Sequence, residues 1–329
     1  SWHFPAAMGT RKRAPSLAAC CTAILKPASR TPLTALMLAQ LLEDAGVPPG
    51  VVNVIPSRSS SLISNTILSD DRVKKLSFTG STEVGRILLN KASEQVINCS
   101  MELGGNAPFI VLDDADLDVA VSAAMVAKMR NAGESCIGAN RFYVHRSLFD
   151  AFAKQFSEEM SQLSVGNGFD EGVDVGPLVD EATVTKVAEL VDDAVAKGAT
   201  VLTGGKRLER EGFFYEPTVM VDIPETAEIL NVEIFGPVAT LVPFDDLDEV
   251  VAKANDTEYG LAAYVIGRDV GRAIAVAERI DAGVMGINRG FISDPAAPFG
   301  GFKQSGLGRE GSVEGIHEFI ETKYIAVEW

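Results

Sequence analysis

The sequence predicts an α/β protein, with a doubly wound parallel sheet in its first part and a second α/β region behind it. Two observations carry this prediction. Short apolar runs of strand length alternate with longer segments of helical periodicity, and the connections between them are short. Strands that alternate with helices in this way build parallel sheets with helices on both faces. A chain of 329 residues has room for about two domains.

The first third of the chain shows the alternation most clearly. An apolar run at residues 21–25 ends at Lys26-Pro27 and predicts a strand. A helix is predicted from Thr31-Pro32, because threonine caps a helix and proline suits its first turn. The leucine-rich segment that follows has helical spacing and stops at Gly46. The alternation continues with two strands and a helix at residues 51–55, 75–78 and 82–89.

The rest of the chain carries a second α/β rhythm. Gly104-Gly105 separates two apolar runs and predicts a hinge between domains. An acidic cluster at residues 113–116 predicts the start of a long helix that ends near Arg130, since carboxylates stabilise a helix N-terminus. Further strands are predicted at residues 96–103, 109–112, 216–221 and 261–266. Further helices are predicted at residues 148–163, 182–197 and 270–280.

Composition excludes several classes of protein. Hydrophobic residues make up 47% of the chain and charged residues 22%, which excludes a disordered chain. The net charge of −16 argues against nucleic acid and anionic membrane as partners, because both attract an excess of Lys and Arg. No apolar run has the length of a membrane-spanning helix. Four cysteines and three scattered histidines indicate neither a disulfide scaffold nor a metal site. We therefore expect a cytoplasmic protein, without a targeting signal.

Two residues are candidates for chemistry on the pattern around them. Cys136 lies among small residues after the long predicted helix, between Gly133 and Gly138. It is either a buried small hydrophobe or, because flanking glycines allow close approach of a ligand, a thiolate nucleophile. Glu102 ends an apolar strand, where it is either a salt-bridged or surface residue or a general base with a raised pKa.

A third candidate is the turn after the strand at residues 75–78. Gly80 and Ser81 lead from this strand into a helix, and a helix N-terminus after a strand is where a nucleotide's phosphates bind. The spacing differs from the dinucleotide-binding fingerprint, so a tight turn without a ligand is an equal alternative.

Seven motifs together give a more specific result. They are WHFPAAMGTRK (2–12), LKPASRTPL (25–33), FTGSTEVGR (78–86), MELGGNAPFIV (101–111), MRNAGESC (129–136), EIFGPV (233–238) and PFGGFKQSGLGREGS (298–312). In this order they resemble the aldehyde dehydrogenase superfamily, and most closely its succinate-semialdehyde dehydrogenases. The resemblance covers essentially the whole chain. It implies an NAD(P)-dependent oxidoreductase that converts succinate semialdehyde to succinate.

The resemblance assigns catalytic roles to residues of this chain. Cys136 matches the nucleophile that forms a thiohemiacetal and then a thioester, and Glu102 matches the base that activates water. His3 stands where the family has an oxyanion-binding asparagine. Loss of such a donor costs on the order of 10²–10³ in kcat. A catalytically impaired homologue that binds only nucleotide or subunits is therefore the alternative.

Cofactor and substrate residues follow from the same comparison. Lys26, Gly80 and Ser81 match cofactor-binding positions, and Glu233 and Phe235 match contacts to the nicotinamide ribose. Ser29 stands where NAD-dependent relatives often carry glutamate, so we expect NADP to be preferred, or at least accepted beside NAD. For the substrate's distal carboxylate, the matching residues are Arg11, Arg130 and Ser293. Glutarate semialdehyde or an uncharged aldehyde is the alternative substrate.

The resemblance also implies a domain organisation. Residues 1–104 are expected to form part of a cofactor-binding domain, residues 105–304 the catalytic domain, and residues 305–321 a return to the cofactor domain. Residues 322–329 match an oligomerisation strand, so a homodimer or homotetramer is expected. Family chains extend well upstream of the first motif, so we expect an N-terminally truncated chain with an incomplete cofactor domain.

Overall fold

The computed structural model describes residues 1–329, which divide into two compact units. The first unit consists of Ser1–Leu103, Ser293–Gly300 and Gly306–Trp329. The second consists of Gly104–Ile292 and Gly301–Ser305. The chain thus passes from the first unit to the second at the glycine pair that begins with Gly104. The functions assigned above to the two parts of the chain stay predictions.

The first unit contains short strands and the helices that connect them. In chain order its elements are α1 (Pro5–Ala18), β1 (Ala23–Leu25), α2 (Pro32–Asp44), β2 (Val52–Val54), α3 (Ser60–Leu68), β3 (Lys75–Thr79), α4 (Thr82–Ser93) and β4 (Asn98–Glu102). Two further elements of the first unit follow the second unit in the chain.

The second unit is the larger and contains most of the strands. It begins with β5 (Ala107–Val111), α5 (Leu117–Met129), a 3₁₀ turn at Arg130–Gly133, β6 (Ala139–His145), α6 (Arg146–Gln162) and α7 (Glu181–Ala196). It continues with β7 (Thr200–Thr203), β8 (Thr218–Val221), β9 (Val238–Phe244), α8 (Leu247–Asn255), β10 (Ala262–Ile266), α9 (Val270–Ala277) and β11 (Val284–Ile287). Two elements then return to the first unit, β12 (Gly306–Leu307) and α10 (Glu314–His317).

The sheets are parallel except at two edges. In the first unit β1 pairs with β2, and β3 pairs with β4, both in parallel, while β12 adds to β4 in the antiparallel direction. The expected sheet of the first part is thus present as two separate pieces. The second unit holds one seven-stranded sheet in the order β11-β10-β5-β6-β9-β8-β7, in which only β7 is antiparallel.

The centre of the large sheet is buried by aromatic side chains. The ring of Phe142 on β6 lies 5.1 Å from that of Phe109 on β5 and 5.4 Å from that of Phe156 on α6. Tyr264 on β10 extends the stack, 5.7 Å from Phe109. Strands covered on both faces form such near-continuous apolar sheets. The α/β class with parallel sheets is confirmed.

Two strands at the middle of this sheet were absent from the sequence prediction. They are β6 and β9, and both are interrupted as apolar runs. Near its start β6 contains Asn140 and Arg141, whose side chains are buried and hydrogen-bonded, and β9 contains Pro243. A polar residue satisfied by tertiary partners cannot be distinguished from an exposed one by periodicity alone.

No helix is both long enough and apolar enough to cross a bilayer.

Candidate active site

Cys136 lies in a tightly wound loop of the second unit, between the end of α5 and the start of β6. The 3₁₀ turn that opens this loop has Asn131 and Ala132 in the left-handed region, both at φ 55°, followed by Gly133 at φ 76°. Non-glycine residues avoid this region unless their surroundings hold them there. The Asn131 side chain donates to the Glu134 carbonyl at 2.9 Å and closes the turn. The loop is therefore conformationally restrained.

Backbone contacts surround this loop and explain its glycines. A Cβ atom on Gly133 would collide with the Gly236 carbonyl, and a Cβ atom on Gly105 would collide with the carbonyl oxygen of Cys136. The Tyr264 hydroxyl donates to the Ile137 carbonyl at 2.8 Å. Only glycine permits backbone to approach backbone so closely. The loop thus holds the nucleophile candidate against the start of β5, with its side chain partly exposed.

Glu233 joins the same region from the segment before β9. Its Oε1 accepts a hydrogen bond from the Gly105 amide at 2.9 Å. Burial raises the pKa of Glu233 to about 7, against that hydrogen bond and the charges of Lys186 and Lys128. Phe235, two residues on, is held at φ 56°. The structure therefore brings Glu233, Gly105 and the Cys136 backbone together within the second unit.

Arg130 begins the Cys136 loop. Its guanidinium lies 4.6 Å from the centre of the Phe291 ring, in the same unit. The face of an aromatic ring attracts and orients a cation in this position. This stacking leaves donors of the guanidinium fork in a fixed plane, which is the geometry that recognises a carboxylate.

The first unit holds Glu102, the last residue of β4, with 3% of its surface exposed. Its Oε2 has no hydrogen-bond partner, and its backbone carbonyl accepts from Gly80 at 3.0 Å. Burial raises the pKa of Glu102 well above its usual range, and the charge of Glu310 raises it further, while Lys12 lowers it. A buried, unpaired carboxyl with a raised pKa has the properties of a general base.

Sequence reasoning missed the two charged partners of Glu102. Lys12 on α1 forms an ion pair with Glu310, and Glu310 Oε2 is buried without a partner of its own. Lys12 and Glu310 are separated by 298 residues, and both occur within motifs quoted above. The signal in the sequence that could have identified these two residues was their position within the motifs. A third missed group is Lys128, which is completely buried in the second unit.

Arg11 and Ser293 come together in the first unit, as the resemblance implied for two groups that share a substrate. An Arg11 Nη atom donates to the Ser293 hydroxyl at 2.5 Å across 282 residues of sequence. The guanidinium also lies 4.6 Å from the centre of the Phe299 ring. Serine and phenylalanine thus orient the fork and leave it without an anionic partner at these contacts.

Four of the residues matched to the cofactor lie after two parallel strands of the first unit. Lys26 directly follows β1, Ser29 is exposed three residues later, and Gly80 and Ser81 follow β3. Burial lowers the pKa of Lys26. Ser81 caps α4, accepting from the Val84 amide at 3.4 Å. Ammonium, hydroxyl and helix N-terminus are groups that bind phosphates, so these residues fit a dinucleotide.

His3 is buried at the start of the first unit, between the edges of the neighbouring Trp2 and Phe4 rings. Its Nδ1 lies within hydrogen-bond distance of the Ser1 hydroxyl. Burial lowers the pKa of His3 to about 4, so the imidazole is neutral near pH 7. A neutral imidazole keeps one N–H donor, half the number of donors that an asparagine amide offers.

Comparison with known proteins agrees with the motifs. The model of the aldehyde dehydrogenase family matches residues 1–325. The NADP(+) succinate-semialdehyde dehydrogenase GabD of Escherichia coli strain K12 is 52% identical over 326 residues, which are 99% of this chain and 67% of that protein. The glutarate-semialdehyde dehydrogenase of Pseudomonas putida strain KT2440 is 51% identical over 326 residues, with the same shares.

Solved structures give the same result. A crystal structure of an E. coli NADP-dependent enzyme superposes with a TM-score of 0.97 at 53% identity, over 99% of this chain and 67% of that one. This chain thus spans about two thirds of the length of the relatives it matches. Family match, sequence identity and fold agree along almost every residue. The chain belongs to the aldehyde dehydrogenase family, whose members are NAD(P)-dependent oxidoreductases.

Proposed function

We propose that this protein oxidises a carboxylate-bearing semialdehyde, succinate semialdehyde to succinate, with Cys136 as the nucleophile. The observation that carries the proposal is the restrained loop of Cys136, in which glycine contacts and left-handed residues hold a partly exposed thiol. A packed core cysteine needs no such restraint. Both relatives named above are semialdehyde dehydrogenases by name, which supports the same activity.

The chemistry needs one covalent step and one hydrolytic step at the enzyme. Cys136 Sγ, as thiolate, adds to the aldehyde carbon and forms a thiohemiacetal. When bound, NAD(P) supplies the acceptor for the hydride that leaves this carbon. The acyl group then remains on Sγ as a thioester. Splitting the oxidation from the hydrolysis gives two easier steps in place of one difficult step.

Glu102 is proposed to complete the reaction as the general base. Its carboxylate takes a proton from a water molecule, whose oxygen attacks the thioester carbon and displaces the Cys136 thiolate. The products are the carboxylic acid and the regenerated Cys136 thiolate, and Glu102 then releases the proton that it took from water. The raised pKa of Glu102 supports this role, because a stronger base accepts a proton more readily from water.

Arg11, Ser293 and Arg130 are proposed to recognise the substrate's distal carboxylate. The stacked guanidinium of Arg11 is already oriented by Ser293 and Phe299, and that of Arg130 by Phe291. On a chain of net charge −16, such local cations are needed to attract an anion. Glutarate semialdehyde also carries a distal carboxylate and is the second candidate, favoured by the second relative.

Two groups of residues are proposed to hold the cofactor. Lys26, Ser29, Gly80 and Ser81 would hold its phosphates and ribose, and Glu233 with Phe235 would contact the nicotinamide ribose. We propose a preference for NADP, since the exposed Ser29 hydroxyl can donate to a 2′-phosphate where a carboxylate would repel it. The NADP(+) in the name of the E. coli relative supports this preference.

The impaired-homologue alternative finds no support among the relatives reported above, each named as a semialdehyde dehydrogenase or an NADP-dependent enzyme. His3 is proposed to supply an N–H donor to the substrate oxygen in place of asparagine. Its burial and neutral imidazole are compatible with such a donor.

The assay follows reduced cofactor by its absorbance, with succinate semialdehyde and either NADP or NAD. We expect turnover by the wild type, no turnover by Cys136→Ala, and full turnover by Cys20→Ala, which changes an exposed thiol. Turnover that persists in Cys136→Ala, or a wild type that is silent with both cofactors, contradicts the proposal. Arg130→Ala should raise KM for succinate semialdehyde far more than KM for an uncharged aldehyde.

Residues 322–329 are proposed to pair with a second copy of the chain in a homodimer or homotetramer. They form neither helix nor strand and every one of them is exposed, including Tyr324 and Trp329. Unpaired backbone N–H and C=O groups of an exposed segment can pair with the edge of another sheet. Sedimentation velocity tests this, and a monomer at all concentrations contradicts it. The cytoplasm stays the predicted location.

A further inference from the structure

A completely buried lysine lies one residue before the end of α5, and the proposed reaction makes no use of it. Lys128 has 0% of its surface exposed. Its Nζ donates to Oδ1 of Asn140, the second residue of β6, at 3.1 Å. These two residues flank the Cys136 loop on its two sides in the sequence. The hydrogen bond therefore closes the loop at its base.

The polar chain continues from the loop to the start of β5. Asn140 Nδ2 donates to Asn106 Oδ1 at 3.2 Å, and Asn106 Nδ2 donates to the Leu230 carbonyl at 2.9 Å. Asn106 is the neighbour of Gly105, whose Cα packs against the Cys136 carbonyl. The chain of three side chains thus connects both ends of the loop to the backbone that contacts Cys136.

The pairing of β5 with β6 is irregular at the same place. Ala107 pairs with Ala139 and Pro108 pairs with Arg141, so Asn140 is the extra residue of a bulge. A bulge redirects a side chain relative to a regular ladder and commonly occurs beside functional sites. The Asn140 carbonyl is held separately, by the Thr240 hydroxyl at 2.7 Å. The backbone is therefore adapted to place this amide side chain between Lys128 and Asn106.

A buried amine is expensive for stability alone. An apolar side chain of similar length would fill the same space without the desolvation of an ammonium group. Burial lowers the pKa of Lys128 to about 7, and the only charge that raises it is Glu233. Glu233 is in turn bound to the Gly105 amide. Lys128 thus interacts with Asn140 on one side of the loop and with the charge of Glu233 on the other segment described above.

We propose that Lys128, Asn140 and Asn106 are positioning residues that lock the Cys136 loop in the geometry needed for nucleophilic attack. We call these three side chains the loop brace. The proposal rests on the proposed role of Cys136 and adds that the brace, and not the loop's glycines alone, sets where Sγ lies. The three side chains of the brace are buried within the protein, so we expect their loss to change kcat rather than KM.

The test compares Lys128→Met with the wild type. Methionine keeps the length and fills the space without the charge. We expect kcat to fall about 10- to 100-fold, because a displacement of about 1 Å at a reacting atom has this effect. KM and the melting temperature should stay close to wild type. Amide hydrogen exchange within residues 131–139 should become about tenfold faster, while exchange in α6 is unchanged.

Asn140→Leu is the second variant, and it should reproduce these effects. It takes the place of Lys128→Met as the test if Lys128→Met fails to fold. The double variant should lose no more turnover than either single variant, since both cut the same chain. Lys154→Met is the matched control, because Lys154 is exposed on α6 and should change nothing. Losses of kcat that add up in the double variant would contradict the proposal. Unchanged kcat together with unchanged hydrogen exchange in a folded variant would also contradict it.

A purely structural role has a different signature. If both variants lower the melting temperature and the loop amides exchange no faster than the rest of the protein, the brace is overturned in favour of general stabilisation. Failure of the proposed function is recognised separately, because Cys136→Ala would then keep its turnover. The exchange measurement does not need an active enzyme, so it tests the brace in either case.

Discussion

Replacing Gly105 by alanine should disable the proposed nucleophile while leaving the protein folded. Gly105 does not have a positive φ, so alanine is permitted by its backbone. The added Cβ, however, would lie well inside contact distance of the carbonyl oxygen of Cys136. That oxygen is backbone and has no rotamer through which it can move aside. The loop, or the start of β5, must therefore shift.

The size of the shift sets the expected loss. Non-bonded heavy atoms are best separated by roughly 3.5 Å, so the clash requires a movement of about 1 Å. A displacement of about 1 Å at a reacting group can cost on the order of 10² in rate. The same shift strains the hydrogen bond from the Gly105 amide to Glu233. We therefore expect kcat to fall about a hundredfold.

The assay is initial rates of cofactor reduction with succinate semialdehyde, beside circular dichroism to confirm the fold. Gly168→Ala is the matched control, since Gly168 lacks a positive φ and its Cβ would meet nothing within 4 Å. It should keep full activity. If folded Gly105→Ala stays within about threefold of the wild-type kcat, the claim that this contact positions Cys136 is refuted.

Three further predictions concern the pH profile of kcat, the preference between NADP and NAD, and the hydrogen-bond donor to the substrate's oxyanion. Glu310→Gln removes a charge that raises the pKa of Glu102 and frees Lys12 to lower it, so the acidic limb of the kcat profile should move to lower pH by about one unit. An unmoved limb would exclude Glu102 as the titrating base. Ser29→Glu should lower kcat/KM for NADP at least about tenfold and spare NAD, measured by rates with each cofactor; equal losses would remove Ser29 from the cofactor site. His3→Asn should raise kcat by restoring an amide donor, and no gain in steady-state turnover would mean that His3 already suffices.

Local sequence signals predicted most of the regular structure. The capped and periodic helices were expected close to where they occur, as with α5, which begins after Asp116 and ends one residue before Arg130. The Asp116 side chain accepts from two amides of the first turn, the interaction that an acidic cap implies. Such signals depend on neighbours within about one helical turn, so they can be read without knowing the tertiary structure.

The candidate site was predictable only in part. The residues next to Cys136 and Glu102 in the sequence made them candidates, because glycines flank Cys136 and an apolar strand leads to Glu102. Lys128 was not, since a lysine near a helix C-terminus is normally a solvated residue that favours the helix dipole. Its burial becomes visible only when β6 packs beside α5 and supplies the Asn140 amide.

The sequence by itself determined the α/β class, the order of most helices and strands, and the family, and it predicted a nucleophile and a base. Hydrophobic periodicity, helix caps and contiguous motifs indicate those properties, and each of these signals depends on residues that are close together in the chain. Only the tertiary structure decided which buried polar groups meet. Lys12 forms an ion pair with Glu310, and Lys128, Asn140 and Asn106 form a chain of hydrogen bonds. Such partners are chosen by strand order and burial, because a polar group removed from water must find a partner in space, and spacing along the chain does not specify that partner.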